Sequence, residues 1–340
     1  MIRSIAVLAA LLAGALFAGA AQAQGTGSAT IDAIKARGQL VCGVAGGVPG
    51  FSLPDSQGVM RGLDADSCRT VAAAILGDAA KVKFVPLTTT NRFTALQSGE
   101  VDLLVRDTTW TLGREANLGL LFAGVNFYDG TGFLVKKATG VKSIKELDGA
   151  TICVQPGTST ELAIDDYFRV NNLKFTPILI QDLAEIEAAF LSGRCDAFST
   201  DGSQLATFRA TQPNKNDLVL LPETISKEPL GYVVRKGDDK FFDLVRWTFF
   251  AGLIAEEYGI TSKNIDSFAA SKVPEIRRLL GLEGDMGKAL GVDNKFAYNV
   301  VKQLGNYGEI WDRNITVLGV PRGINALWNK GGLQYAPPLR

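Results

Sequence analysis

The stretch Thr90-Asn91-Arg92-Phe93-Thr94-Ala95-Leu96-Gln97-Ser98-Gly99-Glu100-Val101-Asp102-Leu103-Leu104-Val105 decides the fold class. Its spacing predicts a helix over Thr90–Ser98, stopped at Gly99, then a strand over Val101–Val105. Upstream, Val82–Val85 reads as a strand, Asp64–Leu76 as an amphipathic helix ending at Gly77, and Leu40–Val44 as the first strand. Strand and helix alternating in this way predict a parallel sheet with helices packed on it. The rhythm recurs downstream, with a short helix Ile144–Leu147, a strand Thr151–Val154 and a helix Ser159–Val170. It continues through a strand Ile178–Ile180, a helix Leu183–Leu191 closed by Gly193, and a strand Asp196–Ser199. Two such units in series predict an α/β chain of two lobes. Beyond Glu228 only Tyr232–Val234 reads as a strand. Phe241–Glu257, Pro274–Leu280 and Asn294–Trp311 read as helices that return to the first lobe, with Val317–Arg340 as a peripheral tail.

The chain has 340 residues, 35 basic against 35 acidic, and no histidine. That length favours two domains. Without histidine there is no Ser-His-Asp or Cys-His catalysis and no His-ligated zinc or haem. The even charge balance argues against a nucleic-acid partner, which would draw a basic excess. Arg3, the apolar run Ile5–Ala20 and Ala21-Gln22-Ala23 read as a signal peptide, residues 1–23, cleaved before Gln24. An uncleaved anchor is the alternative; the run is short for a span. No cysteine follows it until Cys42, which argues against a lipoprotein, and Trp247–Ile254 is a core-sized apolar stretch. Export makes the four cysteines informative. Cys42 lies in the first strand, Cys68 on the first helix, Cys153 in the second unit's strand and Cys195 ahead of another. Pairs Cys42–Cys68 and Cys153–Cys195 would place one bridge in each half; four buried thiols are the alternative. With no CxxC and no Cys-His cluster, no metal or cofactor is expected.

Four motifs carry chemistry. Gly62-Leu63-Asp64-Ala65-Asp66 opens a helix, where Asp64 complements the dipole. Phe93 to Asp102 leads into Asp107-Thr108-Thr109-Trp110-Thr111 and Arg114-Glu115. A guanidinium fork such as that of Arg114 matches a carboxylate, or else pairs with Glu115 or Asp107 on the surface. Gln155-Pro156-Gly157-Thr158-Ser159-Thr160-Glu161 turns from a strand into a helix, as a cap or as an anion site. Gly193-Arg194-Cys195-Asp196-Ala197-Phe198-Ser199-Thr200-Asp201 ends in an acid that either caps the next helix or meets a cation.

Together these motifs resemble the polar amino-acid solute-binding proteins of ABC importers, the bacterial extracellular family 3, and most nearly their general L-amino-acid branch. The likeness runs from Leu40 to Asp238 and departs at Ala65 and Ser67, where larger aliphatic residues are usual. It implies a two-lobed periplasmic-binding-protein fold of type II: residues 24–127 and 231–340 in the first lobe and 128–230 in the second. The hinges would lie near Asn126–Phe133 and Pro229–Arg235. It implies that Arg114 clamps a ligand α-carboxylate, that Thr109 adds a hydroxyl and that the Asp107 carbonyl accepts from the α-amino group. Ser159 and Thr160 would close on the carboxylate and Asp201 on the ammonium. Phe51, Trp110 and Tyr128 are candidates to line the side-chain pocket, the last two equally candidates for the core. The expected function is a periplasmic, monomeric, non-enzymatic carrier that delivers L-amino acids to an inner-membrane ABC permease. The alternative is an enzyme on the same fold, a cyclohexadienyl or arogenate dehydratase, for which the motifs mark no spare general acid.

Overall fold

The computed structural model describes residues 25–340; the leader and its cleavage site lie outside the described residues. Ser28 accepts the Ile31 N–H and so starts a helix, Ala29–Arg37, which the sequence reading passed over. The strands follow as β1 (Leu40–Val44), β2 (Leu53–Pro54), β3 (Met60–Arg61), β4 (Val82–Pro86), β5 (Leu103–Thr109) and β6 (Leu120–Asp129). They continue as β7 (Thr131–Lys136), β8 (Ala150–Val154), β9 (Phe175–Leu179), β10 (Ala197–Asp201), β11 (Leu218–Leu220) and β12 (Glu228–Arg235). Two five-stranded sheets result, in the orders β4-β1-β5-β12-β6 and β11-β7-β10-β8-β9, with β2 and β3 as a small hairpin.

Both sheets are mixed. β1 runs parallel to β4 and β5, whereas β12 lies antiparallel between β5 and β6. In the second sheet β8 is parallel to β9 and β10, and β7 is antiparallel to β10 and β11. The antiparallel pairings arise where the chain changes sheet, at Gly130 between β6 and β7 and on the return between β11 and β12. Pro229–Arg235 therefore belongs to β12, inside the first sheet. The expected helix Asn294–Trp311 is two helices, Phe296–Leu304 and Tyr307–Asn314. Gly305, at φ 83°, ends the first, and Asn306 opens the second through a reciprocal capping box with Glu309.

Apolar residues on one face of the first sheet share a large core with helices Leu63–Leu76, Asp239–Glu257, Phe296–Leu304 and Tyr307–Asn314, which runs from Ile31 to Leu339 and encloses Trp311 completely. Val41, Leu96, Leu104 and Phe122 form a smaller cluster on the other face. The second sheet has a smaller cluster on each face. Phe133, Ile152, Ile164 and Phe168 form one; Phe190, Phe198, Leu205 and Phe208 form the other. Both expected disulfides are present. Cys42–Cys68 ties β1 to helix Leu63–Leu76 with Cα atoms 6.1 Å apart, and Cys153–Cys195 ties β8 to the entrance of β10 across 5.6 Å.

The tail is not peripheral. β6 is an edge strand, and the segment after Asn314 clothes its open side with side chains in place of another strand. Asn325 accepts the Tyr128 N–H (2.7 Å) and donates to the Tyr128 carbonyl (3.0 Å), and Gln334 donates to the Val125 carbonyl (3.0 Å). From the preceding helix, the Tyr307 hydroxyl donates to the Asn126 carbonyl (2.7 Å). No described helix is long and apolar enough to cross a membrane, and no described cluster of three His, Cys, Asp or Glu could hold a metal ion.

Candidate functional site

In open α/β sheets, ligands gather beyond the carboxyl ends of the strands. Here the carboxyl ends of β5, β8 and β10 meet across the junction of the two sheets. They enclose a cavity lined by Arg92, Arg106, Asp107, Thr109 and Arg114 from the first lobe and by Gln155, Ser159, Thr160 and Asp201 from the second. The cavity measures about 20 Å³, so any solute enters only as the lobes part. A larger open depression of about 790 Å³ lies at the amino ends of the first sheet. Several of its polar groups already have partners, as in the Arg37–Asp102 pair and the bonds that Ser28 and Thr30 make to Asp238.

β5 carries the decisive irregularity. Leu230 of β12 pairs with Thr109 while Tyr232 pairs with Val105, so β5 bulges opposite Gly231. A Cβ at Gly231 would collide with the Gly124 carbonyl oxygen, which is why only glycine fits there. Within the bulge Asp107 adopts φ 40°, a left-handed conformation that costs a non-glycine residue about 1 kcal/mol. Asp64 holds it there by accepting the Asp107 N–H at 3.1 Å and the Asn126 side chain at 3.3 Å. Asp64 thus braces the cavity-lining loop as well as opening its own helix.

Arg114 sits on the short helix Leu112–Asn117, capped by the Thr111 hydroxyl. It makes neither of the surface pairs open to it in the sequence: its Nη1 donates to the Thr109 carbonyl at 2.8 Å and its guanidinium lies 5.2 Å from the Phe93 ring centre. Burial lowers its proton affinity, opposed by Glu228 and Asp201. Asp201 precedes helix Gly202–Thr211 without capping it; Asp129 takes the Ser203 N–H instead, at 3.1 Å. Asp201 is free to face the cavity, its carboxyl pushed well up by burial, then by Asp129 and Glu228, with Arg114 and Arg92 pulling the other way. Thr158, not Ser159, caps helix Ser159–Val170, so the first-turn amides of Ser159 and Thr160 have no intrahelical partner. Burial also pushes the Asp107 carboxyl well up, reinforced by Asp64 and Asp201.

Among the described residues, several cavity-lining polar atoms are buried without a hydrogen-bond partner: Thr89 Oγ1, Arg92 Nε and both Asp107 carboxylate oxygens. Such groups cost stability unless something meets them. A cavity offering guanidinium donors, helix-terminal amides and a carboxylate suits a solute charged at both ends. Over residues 40–258 the sequence matches the bacterial extracellular solute-binding proteins, family 3. The chain belongs to this family.

The glutamate/glutamine/aspartate/asparagine-binding protein BztA of Rhodobacter capsulatus is 57% identical to this family 3 protein over 330 residues, 96% of either chain. The general L-amino acid-binding periplasmic protein AapJ of Rhizobium johnstonii is 51% identical over 337 residues, 98% of either chain. Among solved structures, an ABC transporter periplasmic binding protein from Brucella ovis with glutathione bound superposes with a TM-score of 0.89. It is 51% identical, and the match covers 92% of this chain and 99% of that one.

Of the residues singled out in the sequence, Arg114, Thr109, Asp107, Ser159, Thr160 and Asp201 share the one cavity. Phe51, Trp110 and Tyr128 do not line it. Phe51 is fully buried in the first lobe's core, 5.3 Å from the Phe127 ring. Trp110 is 38% exposed, stacks on Phe122 and donates to Glu115. Tyr128 is tied through its backbone to Asn325. Missed in the sequence were Arg92, Arg106 and Glu228. The signal for Arg106 was a charge next to the apolar strand run of this family 3 protein; Arg92 offered none, since its complete burial shows only in the fold. Glu228 offered none, since its partners lie far away in sequence.

Proposed function

We propose that this chain is the periplasmic binding component of an amino-acid ABC importer, which closes its two lobes around a free L-amino acid and presents it to the membrane permease. The observation that carries this is the junction cavity, where Arg114 and Thr109 of one sheet face Asp201 and the helix terminus at Ser159 of the other. Arg114 and the first-turn amides of Ser159 and Thr160 hold the α-carboxylate, a bidentate fork and a helix N-terminus being matched to that group. Asp201 and the Asp107 carbonyl hold the α-ammonium. Each lobe then meets the solute only when both engage, so binding favours the closed form. Relatives above half identity are named as binding proteins, and the role is binding, not catalysis. On this reading residues 24–127 and 231–340 act as one lobe and 128–230 as the other. The chain works as a monomer, exported with cleavage near Ala23 and Gln24.

A second reading, a γ-glutamyl peptide as solute, is favoured by the glutathione bound to the Brucella ovis relative. The γ-glutamyl end of that tripeptide carries the same free α-carboxylate and α-ammonium. Thermal unfolding with the twenty amino acids and glutathione tests both. A true solute at a hundredfold excess over its Kd adds about 2.7 kcal/mol of apparent stability. If no amino acid and no glutathione moves the transition, the proposal fails; glutathione alone acting would replace the first reading by the second.

A further inference from the structure

Glu228 opens β12, the strand by which the chain returns to the first sheet, and is only 2% exposed. Hydroxyls from both lobes surround its carboxylate. Oε2 accepts from Thr109 Oγ1 and from Ser159 Oγ at 2.7 Å, and Oε1 accepts from Ser226 Oγ and from Thr131 Oγ1 at 3.4 Å. The Thr109 and Ser159 oxygens are themselves 3.0 Å apart. Thr109 Oγ1, Ser159 Oγ and Glu228 Oε2 therefore form a triangle of mutually close oxygens. The carboxylate brings no proton and each hydroxyl brings one. Both hydroxyls lie against Glu228 Oε2, and each satisfies that carboxylate by turning its proton into the triangle. Towards the cavity, Thr109 and Ser159 present lone pairs only. Asp201, across the cavity, is an acceptor as well. Donors lie elsewhere, on Arg114 and at the helix terminus.

We infer that Glu228 is a positioning residue that sets the hydrogen-bonding polarity of the cleft: by taking the Thr109 and Ser159 protons it makes the lobe junction accept only, and so selects a ligand bearing an N–H donor there. This rests on the amino-acid reading above and sharpens it. Ser159 meets a carboxylate through its amide, and its hydroxyl meets the ammonium. A 2-oxo acid, which places a carbonyl oxygen where the amine would be, meets lone pairs and is rejected. Glu228 touches no solute in this scheme; it acts through the two hydroxyls.

The test is isothermal titration of L-glutamate, L-glutamine and L-alanine, each against its 2-oxo acid, with the wild-type protein and with Glu228→Gln. A neutral amide carries its own N–H donors and frees hydroxyl protons to turn into the cleft. The expected result is an amino-acid affinity at least tenfold weaker, with 2-oxo-acid affinity unchanged or increased. A purely structural role would lower both by the same factor, and that result overturns the inference while leaving the amino-acid reading intact. A wild-type protein that binds none of the six compounds, and none of the twenty amino acids, overturns the functional reading itself. If Glu228→Gln does not fold, Thr109→Val carries the same test with Glu228 untouched. Loss of amino-acid affinity alone supports an accepting hydroxyl; equal loss for amino and 2-oxo acids shows a donating one and sinks the idea.

Discussion

The two lobes share a five-stranded mixed sheet and differ in what holds it. The first is assembled from both ends of the described chain: the start of helix Ala29–Arg37 meets the start of Asp239–Glu257, with Ser28 and Thr30 bonded to Asp238 at 2.8 and 2.9 Å. Its larger core reaches from Ile31 to Leu339, with a smaller cluster on the other face of the sheet. The strands of the second come from one continuous stretch between the crossings, with a small cluster on each face and an edge strand, β9, whose Leu179 is 51% exposed. A lobe whose parts come from distant sequence unfolds as a unit. A lobe made of a single stretch has fewer long-range anchors and should open locally at lower cost.

The hardest test of this contrast is Trp311→Ala. A fully enclosed ring at the centre of the larger core should cost about 4 kcal/mol, and Phe190→Ala in the second lobe about 3 kcal/mol, read by chemical denaturation. If Phe190→Ala proves the more damaging, the contrast is broken. The disulfides sharpen it. Closing loops of 26 and 42 residues contributes about 3.5 and about 4 kcal/mol respectively on chain-entropy grounds, so replacing Cys153 and Cys195 by Ala should cost the lighter lobe slightly more than replacing Cys42 and Cys68 costs the heavier one. Denaturation midpoints of the two double variants decide the order.

Arg114→Lys keeps the charge and loses the fork. It should weaken amino-acid binding by about 2 kcal/mol, roughly thirtyfold, with little change in melting temperature, because Arg114 belongs to neither core. Affinity equal to that of the wild type would remove the clamp. Acidity probes the first lobe next. Burial raises the Asp64 carboxyl to about 6. A group raised in the folded state contributes stability that is present below its unfolded value and lost as pH rises through the folded one. The ligand-free protein should therefore melt higher at pH 5 than at pH 7 on account of this group, and Asp64→Asn should flatten that slope. The smallest effect is expected from Asn325→Ala. Removing the tail's paired bonds to Tyr128 should cost about 1 kcal/mol and speed amide exchange along β6 before the rest of the first sheet.

Much of the fold was legible because its helices stop where the sequence stops them. Gly77, Gly99 and Gly193 all take left-handed conformations at the helix ends where they were expected. β6 and β7 were not legible as strands. Leu120–Asp129 is apolar on both faces and lacks alternation, and its partner β12 lies about a hundred positions away in sequence. The helix Asn294–Trp311 read as continuous because its apolar period survives the break at Gly305; only the capping pair Asn306 and Glu309 announced a restart. In the site, Arg114, Thr109 and Asp201 were reachable through motifs that keep their chemistry local. Glu228 was not, since the hydroxyl of Thr109 lies 119 positions away and that of Ser159 lies 69 away. Nothing in Lys227-Glu228-Pro229 distinguishes a buried carboxylate from a solvated one.

The side chains that clothe β6 have a consequence for how the protein behaves in a crowded compartment. An uncovered edge strand is a template on which another chain can add itself. Asn325, Gln334 and Tyr307 occupy backbone groups at Tyr128, Val125 and Asn126 that a foreign strand would otherwise claim. All three lie beyond residue 258, where the match to the family ends. Replacing Asn325 and Gln334 by Ala would keep the core of the first lobe and uncover part of the longest strand, and such a chain would be expected to stick to its own copies.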